Sequence, residues 1–132
     1  MKTILKLESL GTVLLSFSIF LYSGFPAWLY PALIFLPDIS MVGYLVGSKA
    51  GAYLYNFFHH QGIAILVLIA GYLLAADYAI ATGLILLGHS ALDRALGYGL
   101  KYNDSFNHTH MGWIGKKKEA IARNKLGGGL LL

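Results

Sequence analysis

His89-Ser90-Ala91-Leu92-Asp93-Arg94-Ala95-Leu96-Gly97-Tyr98-Gly99-Leu100-Lys101-Tyr102 is the stretch whose reading decides this chain. It closes an apolar run over residues 79–87, yet it carries a histidine, a carboxylate and a guanidinium. His89 and Asp93 stand at i and i+4, so a helix points both side chains at one spot a turn apart. Ionisable groups are costly in hydrocarbon and are held there by a partner or a polar cavity. Chemistry is therefore expected here.

The surroundings make hydrocarbon the expected environment. Of 132 residues, 57% are hydrophobic and only 12% are charged, against about 25% charged in soluble domains. Further apolar runs cover residues 11–35 and 62–76. The first continues past any small-residue cleavage site, which argues against a removed signal peptide. The net charge of +4 is concentrated at the ends, in Lys2 and Lys6 and in Lys116, Lys117, Lys118, Arg123 and Lys125. Such clusters read as cytoplasmic anchors on anionic lipid, and no basic soluble fold is present to bind nucleic acid. The absence of cysteine excludes disulfides, thiolate ligands and thiol nucleophiles.

The expected fold class is all-α, a helical integral membrane protein with about four membrane helices at residues 3–22, 27–36, 63–75 and 78–96. Between the second and third lies a broken interfacial or re-entrant segment, residues 39–60, bent at Gly47-Ser48-Lys49-Ala50-Gly51. Residues 1–115 form the membrane domain and 116–132 a basic tail, disordered or partly helical. Even crossings put both termini in the cytoplasm, in a multi-pass protein of the inner (plasma) membrane. The second helix is short, about half of a hydrocarbon core of roughly 30 Å. If it does not cross, residues 39–60 must, and Asp38 moves away from the histidines. Gly43, Gly47 and Gly51 form a small-residue ladder read as helix packing.

All five histidines, His59, His60, His89, His108 and His110, fall between positions 59 and 110. Imidazole with carboxylate suits Zn, Mn or Fe, and a bound divalent metal would activate a water for hydrolysis. Asp38, His59, His89 and Asp93 are the candidate catalytic and metal-binding residues, with His110 a fifth ligand and Glu8 a reserve. Arg94 and Lys101 are candidates for binding an anionic substrate group. Plainer readings stand beside these: His108 as a surface hydrogen-bonder, His60 as a helix cap, His89 with Asp93 as a buried pair that locks packing.

Several blocks resemble family 4260 of the domains of unknown function, small bacterial multi-pass membrane proteins. They are Leu7-Glu8; Leu36-Pro37-Asp38-Ile39-Ser40-Met41 with Gly43-Tyr44; Gly51-Ala52 with Tyr55-Asn56 and His59; His89, Asp93-Arg94 and Gly97 to Tyr102; and Phe106 with Thr109-His110-Met111-Gly112. The resemblance covers roughly residues 5 to 115 and implies architecture and candidate positions, with no reaction attached. A remoter similarity, in Pro-Asp, a histidine and His-x-x-x-Asp, is to inner-membrane proteins taken to be metal-dependent hydrolases. Tyr55-Asn56-Phe57-Phe58-His59 stands where that group carries Arg-x-x-Thr-His-Ser. Both resemblances favour His59 over His60 and His110 over His108.

The leading expectation is a membrane protein with a divalent-metal His/Asp site at the cytoplasmic face, hydrolysing a lipid-linked or phosphoester substrate. The alternative is a non-enzymatic membrane scaffold or partner-binding subunit whose polar residues lock helix packing. A third is a transporter, which at this size needs a homo-oligomer to form a pore. The three part at one geometric question: whether Asp38, His59, His89 and Asp93 converge within about 5 Å of a common point, as metal ligation demands.

Overall fold

A computed structural model describes residues 1–114, and the basic tail expected at 116–132 lies outside the described residues. The chain forms α1 (Lys2–Tyr22), α2 (Leu29–Leu33), a 3-10 segment (Leu36–Leu45), α3 (Ser48–His59), α4 (Gln61–Leu73) and α5 (Asp77–Ala95). A two-stranded antiparallel hairpin follows, β1 (His108–Thr109) with β2 (Gly112–Trp113).

Among the described residues, α1 is the one helix that is long and apolar enough to cross a membrane by itself. It runs 21 residues without proline and stops where Ser23-Gly24-Phe25-Pro26 breaks the helical pattern. Gly24 takes φ +92°, and the Ser23 N–H closes the last turn on the Ile19 carbonyl at 2.8 Å. Helices α3 and α4 meet at a 46° bend and together form a second stretch of sufficient length. His60 sits at the bend in extended backbone and accepts the Ile63 N–H on Nδ1 at 3.3 Å, the helix-cap role foreseen for it.

The segment at 27–36 differs from the expected membrane helix. Only Leu29–Leu33 is α-helical, a rise of about 7.5 Å. Pro37 prevents the α-helix from running on, because it has no N–H to bond the Leu33 carbonyl four residues back and its ring crowds that carbonyl. The chain continues as a 3-10 run with Pro37 in its first turn, packed on α3. This run turns Asp38 back toward the histidines, so a short second helix does not separate them. Gly43 and Gly51 supply the close approach: a Cβ on Gly43 would stand 3.1 Å from Gly51 Cα.

Helix α5 is the central element, packed against α1 and α4 and buried almost continuously from Gly83 to Ala91. Phe20, Tyr30, Ile34, Ile80, Leu84 and Ile85 form the main core. Ser16 of α1 donates to the Leu84 carbonyl at 2.6 Å, and Tyr30 of α2 donates to Ser16 at 3.1 Å. These bonds satisfy polar groups that would otherwise be stranded in an apolar core. The α4–α5 contact is backbone-close, since a Cβ on Gly83 would lie 2.6 Å from the Leu68 nitrogen.

Candidate metal centre

Three elements deliver the four polar residues. The 3-10 segment carries Asp38, the last turn of α3 carries His59, and the last two turns of α5 carry His89 and Asp93. Each residue offers one ligand atom, and the four atoms lie within 4.8 Å of one another. His89 Nε2 stands 3.0 Å from Asp38 Oδ1 and 3.0 Å from His59 Nε2. His59 Nε2 is 3.4 Å from Asp38 Oδ1, and each Nε2 is 3.5 Å from Asp93 Oδ2. Donor atoms held about 2.0–2.1 Å from one cation at tetrahedral angles are separated by roughly 3.3 Å. The five distances bracket that value.

Hydrogen bonding around the group settles which atoms face inward. A carbonyl can only accept, so His59 Nδ1–H donates to the Tyr55 carbonyl at 2.8 Å and His89 Nδ1–H donates to the Ile34 carbonyl at 2.5 Å. With both Nδ1 protons so committed, each Nε2 is the ring atom that faces the carboxylates, able to offer a lone pair to a cation or, when protonated, to donate to a carboxylate oxygen. This is the arrangement by which outer partners set the tautomer of metal-binding imidazoles. Tyr55 donates its hydroxyl to Asp93 Oδ2 at 2.9 Å and stacks its ring on His59 at 3.7 Å between centroids. Ser90 donates to the His59 carbonyl at 2.5 Å and ties α5 to the end of α3.

Burial is uneven. The His59 and His89 side chains are 3% and 1% exposed and that of Asp93 18%, but Asp38 is 36% exposed. Access is therefore from the Asp38 side. The end of α5 is held by Gly97, which takes φ +94° and lets the Tyr98 N–H reach the Asp93 carbonyl at 2.7 Å while its own N–H bonds to Arg94. This left-handed cap anchors the backbone of Asp93 itself.

The other expected site residues are placed differently. Arg94 is half-buried and lines a crevice with Tyr55, His59, Ser90 and Asp93. Lys101 is 5% exposed, with Nζ 3.6 Å from the centre of the Phe106 ring and 4.8 Å from that of Tyr55. Burial pushes its amine down to about 8, against the opposing pull of the Asp93 and Asp38 charges. Its backbone is clamped by Asn56, whose amide donates to the Lys101 carbonyl at 2.7 Å and accepts its N–H at 2.6 Å. His110 stands apart from the four: its Nδ1 accepts the Leu100 N–H at 2.7 Å, and burial together with the nearby Arg94 charge lowers its pKa. His108 pairs with Asp104 at 3.0 Å and stacks on Trp113, and Glu8 is exposed on α1.

Basic groups gather at this end of the fold. Lys6 brings its ammonium to 3.6 Å from where a Cβ on Gly97 would stand, and Lys2 does the same at Gly112 at 3.7 Å. The start of α1 thus lies beside the end of α5, with Arg94 and Lys101 between the four-residue group and the hairpin. Residues the sequence reading undervalued are Tyr55, Ser90 and Asn56. The one available signal was spacing, since Tyr55 precedes His59 by four and its side chain falls on the same helix face.

No curated protein and no solved structure matches the chain, so the similarity to metal-dependent hydrolases finds no support there. One family does match, over residues 2–114, nearly all of the sequence. The chain belongs to the family described as Domain of unknown function (DUF4260).

Proposed function

We propose that this protein is a membrane-embedded divalent-metal protein whose centre is Asp38, His59, His89 and Asp93. The observation that carries this is the pair of Nε2 atoms facing two carboxylates, with both Nδ1 protons committed to carbonyls. Groups at these spacings repel one another unless positive charge, a metal ion or a shared proton, sits among them, and a divalent ion serves all four at once. Two carboxylates and two neutral imidazoles around a divalent ion sum to zero charge, which suits a site in a low-dielectric region.

The membrane assignment draws on what covers the outer faces. Ile4, Leu7 and Leu14 on α1 are each more than half exposed, as are Leu66, Leu73 and Leu74 on and after α4. Exposed apolar helix faces of this kind need a cover, and lipid is the simplest one. Lys2, Lys6, Arg94 and Lys101 share the metal end, so the positive-inside rule turns that end to the cytoplasm and toward anionic lipid.

The reaction best suited to this centre is hydrolysis of a lipid-linked phosphoester. When bound, the metal would lower the pKa of a water and polarise a phosphoryl oxygen. The water oxygen bonds to phosphorus, the ester P–O bond breaks, and the alcohol departs with a proton. Asp38, the most exposed of the four, marks the open side, and Arg94, in the crevice beside Asp93, would add positive charge near the centre. Elemental analysis of detergent-purified protein tests the centre: about one divalent ion per chain is expected, and none in His89→Ala. Metal-free wild-type protein would sink the reading and leave a proton-shared network that locks helix packing. Phosphate release from a lipid phosphomonoester in proteoliposomes, lost in Asp38→Asn, tests the reaction.

A further inference from the structure

A second feature of the molecule is an apolar pocket of about 590 Å³ between the 3-10 segment, α3 and α5. Its volume is typical of small-molecule sites, which run roughly 300–1,000 Å³. Leu33 of α2 adds to the lining, and each of the other three elements also carries a residue of the Asp38–His59–His89–Asp93 group one position or one turn away. Pro37 and Ile39 flank Asp38, Phe58 precedes His59, and Ile85 lies four residues before His89. Along α5 the lining continues from Ile85 back through Thr82 and Tyr78, at the spacing of one helix face.

The pocket asks for an occupant with no polar groups. Its two small hydroxyls are satisfied by the protein: Ser40 donates to the Pro37 carbonyl at 2.7 Å and Thr82 to the Tyr78 carbonyl at 2.6 Å. The remaining lining is almost wholly aliphatic and aromatic. Pro37, Ser40, Ile85 and Leu86 form a buried floor, and Ile39 and Val42 stand exposed at the rim. From Thr82 to His89 the helix rises about 10 Å, enough for a run of methylenes to lie below the metal-ligand group. Beyond that group the charge is positive, from Arg94, Lys6 and Lys2. An apolar trough that leads into a polar centre backed by cations complements an amphiphile with an anionic head.

We propose that this pocket takes one hydrocarbon chain of an anionic membrane lipid and thereby presents its phosphate head to the Asp38–His59–His89–Asp93 centre. The assignment rests on the reading of that centre as a metal site, and it specifies the substrate class as a chain-bearing lipid phosphate. Inorganic or soluble organic phosphates lack the chain and are poor ligands by comparison.

Photolabelling distinguishes the possibilities. Full-length protein in phosphatidylcholine vesicles is given phosphatidic acid with a photoreactive group at mid-chain, and labelled peptides are mapped while bound metal is measured on the same sample. Labelling is expected to concentrate on Leu54, Phe58 and Thr82 and to exceed that from phosphatidylcholine bearing the same chain. It should fall at least fivefold in Ala81→Trp and in Leu54→Trp, which fill the pocket from opposite walls, with metal content unchanged. If one variant fails to fold, the other and the wild-type map still decide. Even labelling across outer residues such as Leu14 and Leu66, in protein that holds metal, would overturn the proposal at the pocket. Pocket labelling in protein that holds no metal would overturn it at the metal centre. A covalent dimer formed through Thr82→Cys, in a chain otherwise free of cysteine, would put a second copy there instead of lipid.

Discussion

His59 and His89 bring their Nε2 atoms to 3.0 Å of each other although each already donates its Nδ1 proton to a main-chain carbonyl. On the proposed reading a metal ion draws these two nitrogens together, and a cation that binds only the folded form stabilises it. A metal at a hundred times its Kd contributes about 2.7 kcal/mol. A strong chelator is therefore expected to lower the Tm of wild-type protein by on the order of 10 °C. His59→Ala and His89→Ala should start from the lower Tm and ignore the chelator. Thermal unfolding with and without chelator checks this, and an unchanged wild-type Tm would count against bound metal.

Tyr55 acts on the centre at one remove. Its hydroxyl holds Asp93 Oδ2 at 2.9 Å and its ring stacks on His59. Tyr55→Phe keeps the stacking and removes the hydrogen bond alone. Loss of such an outer partner costs metal affinity about 10- to 100-fold, whereas the fold should lose only about 1 kcal/mol. Competition with a chelating dye reads the first and thermal unfolding the second. A drop in Tm without weaker metal binding would make Tyr55 a packing residue only.

The four residues that converge were legible because a chain this apolar offers few polar residues, and His89 and Asp93 declare themselves by i, i+4 spacing. The positions of α1, α4 and α5 follow from apolar runs with clear breaks, and agree with the expected limits to within two residues. Helix α2 was over-read because composition does not register how Pro37 diverts the backbone into a 3-10 run. His110 was over-read for a different reason. Its imidazole is taken by the Leu100 N–H through a loop register, visible in the Lys101–Thr109 bridge, that no sequence period encodes. Lys101 was read as a candidate for binding an anionic group, and only the folded loop shows its amine turned between two rings.

Two helices end in the same left-handed cap with different residues. After α5, Gly97 holds φ +94°; after α4, Ala75 holds φ +51°, and Ala76 N–H bonds to the Gly71 carbonyl at 2.8 Å. A Cβ in this region costs roughly 1–2 kcal/mol, partly offset by the greater freedom of glycine in the unfolded chain. Ala75→Gly is expected to stabilise by about 0.5–1 kcal/mol. Gly97→Ala should destabilise by about 1 kcal/mol or more and weaken metal binding as well, because the cap anchors Asp93. Equal and opposite Tm shifts with no change in metal affinity would separate the cap from the centre.

Lys101 makes stability depend on alkaline pH. Its ordinary value of 10.5 falls to about 8 because burial disfavours the ammonium. Between those values the unfolded chain binds a proton that the folded chain does not, so this group's contribution to stability rises with pH. Its cost is fully present below about 8 and is gone above about 10.5. Tyrosines and other lysines titrate in the same window, so the comparison must be a difference between two proteins. Lys101→Met keeps most of the apolar stem over Phe106 and Tyr55 and removes the titration. The difference in unfolding free energy, variant minus wild type, is expected to become less favourable to the variant as pH rises from 8 to 10.5. A difference that stays flat across that range would mean the amine reaches water in the folded protein.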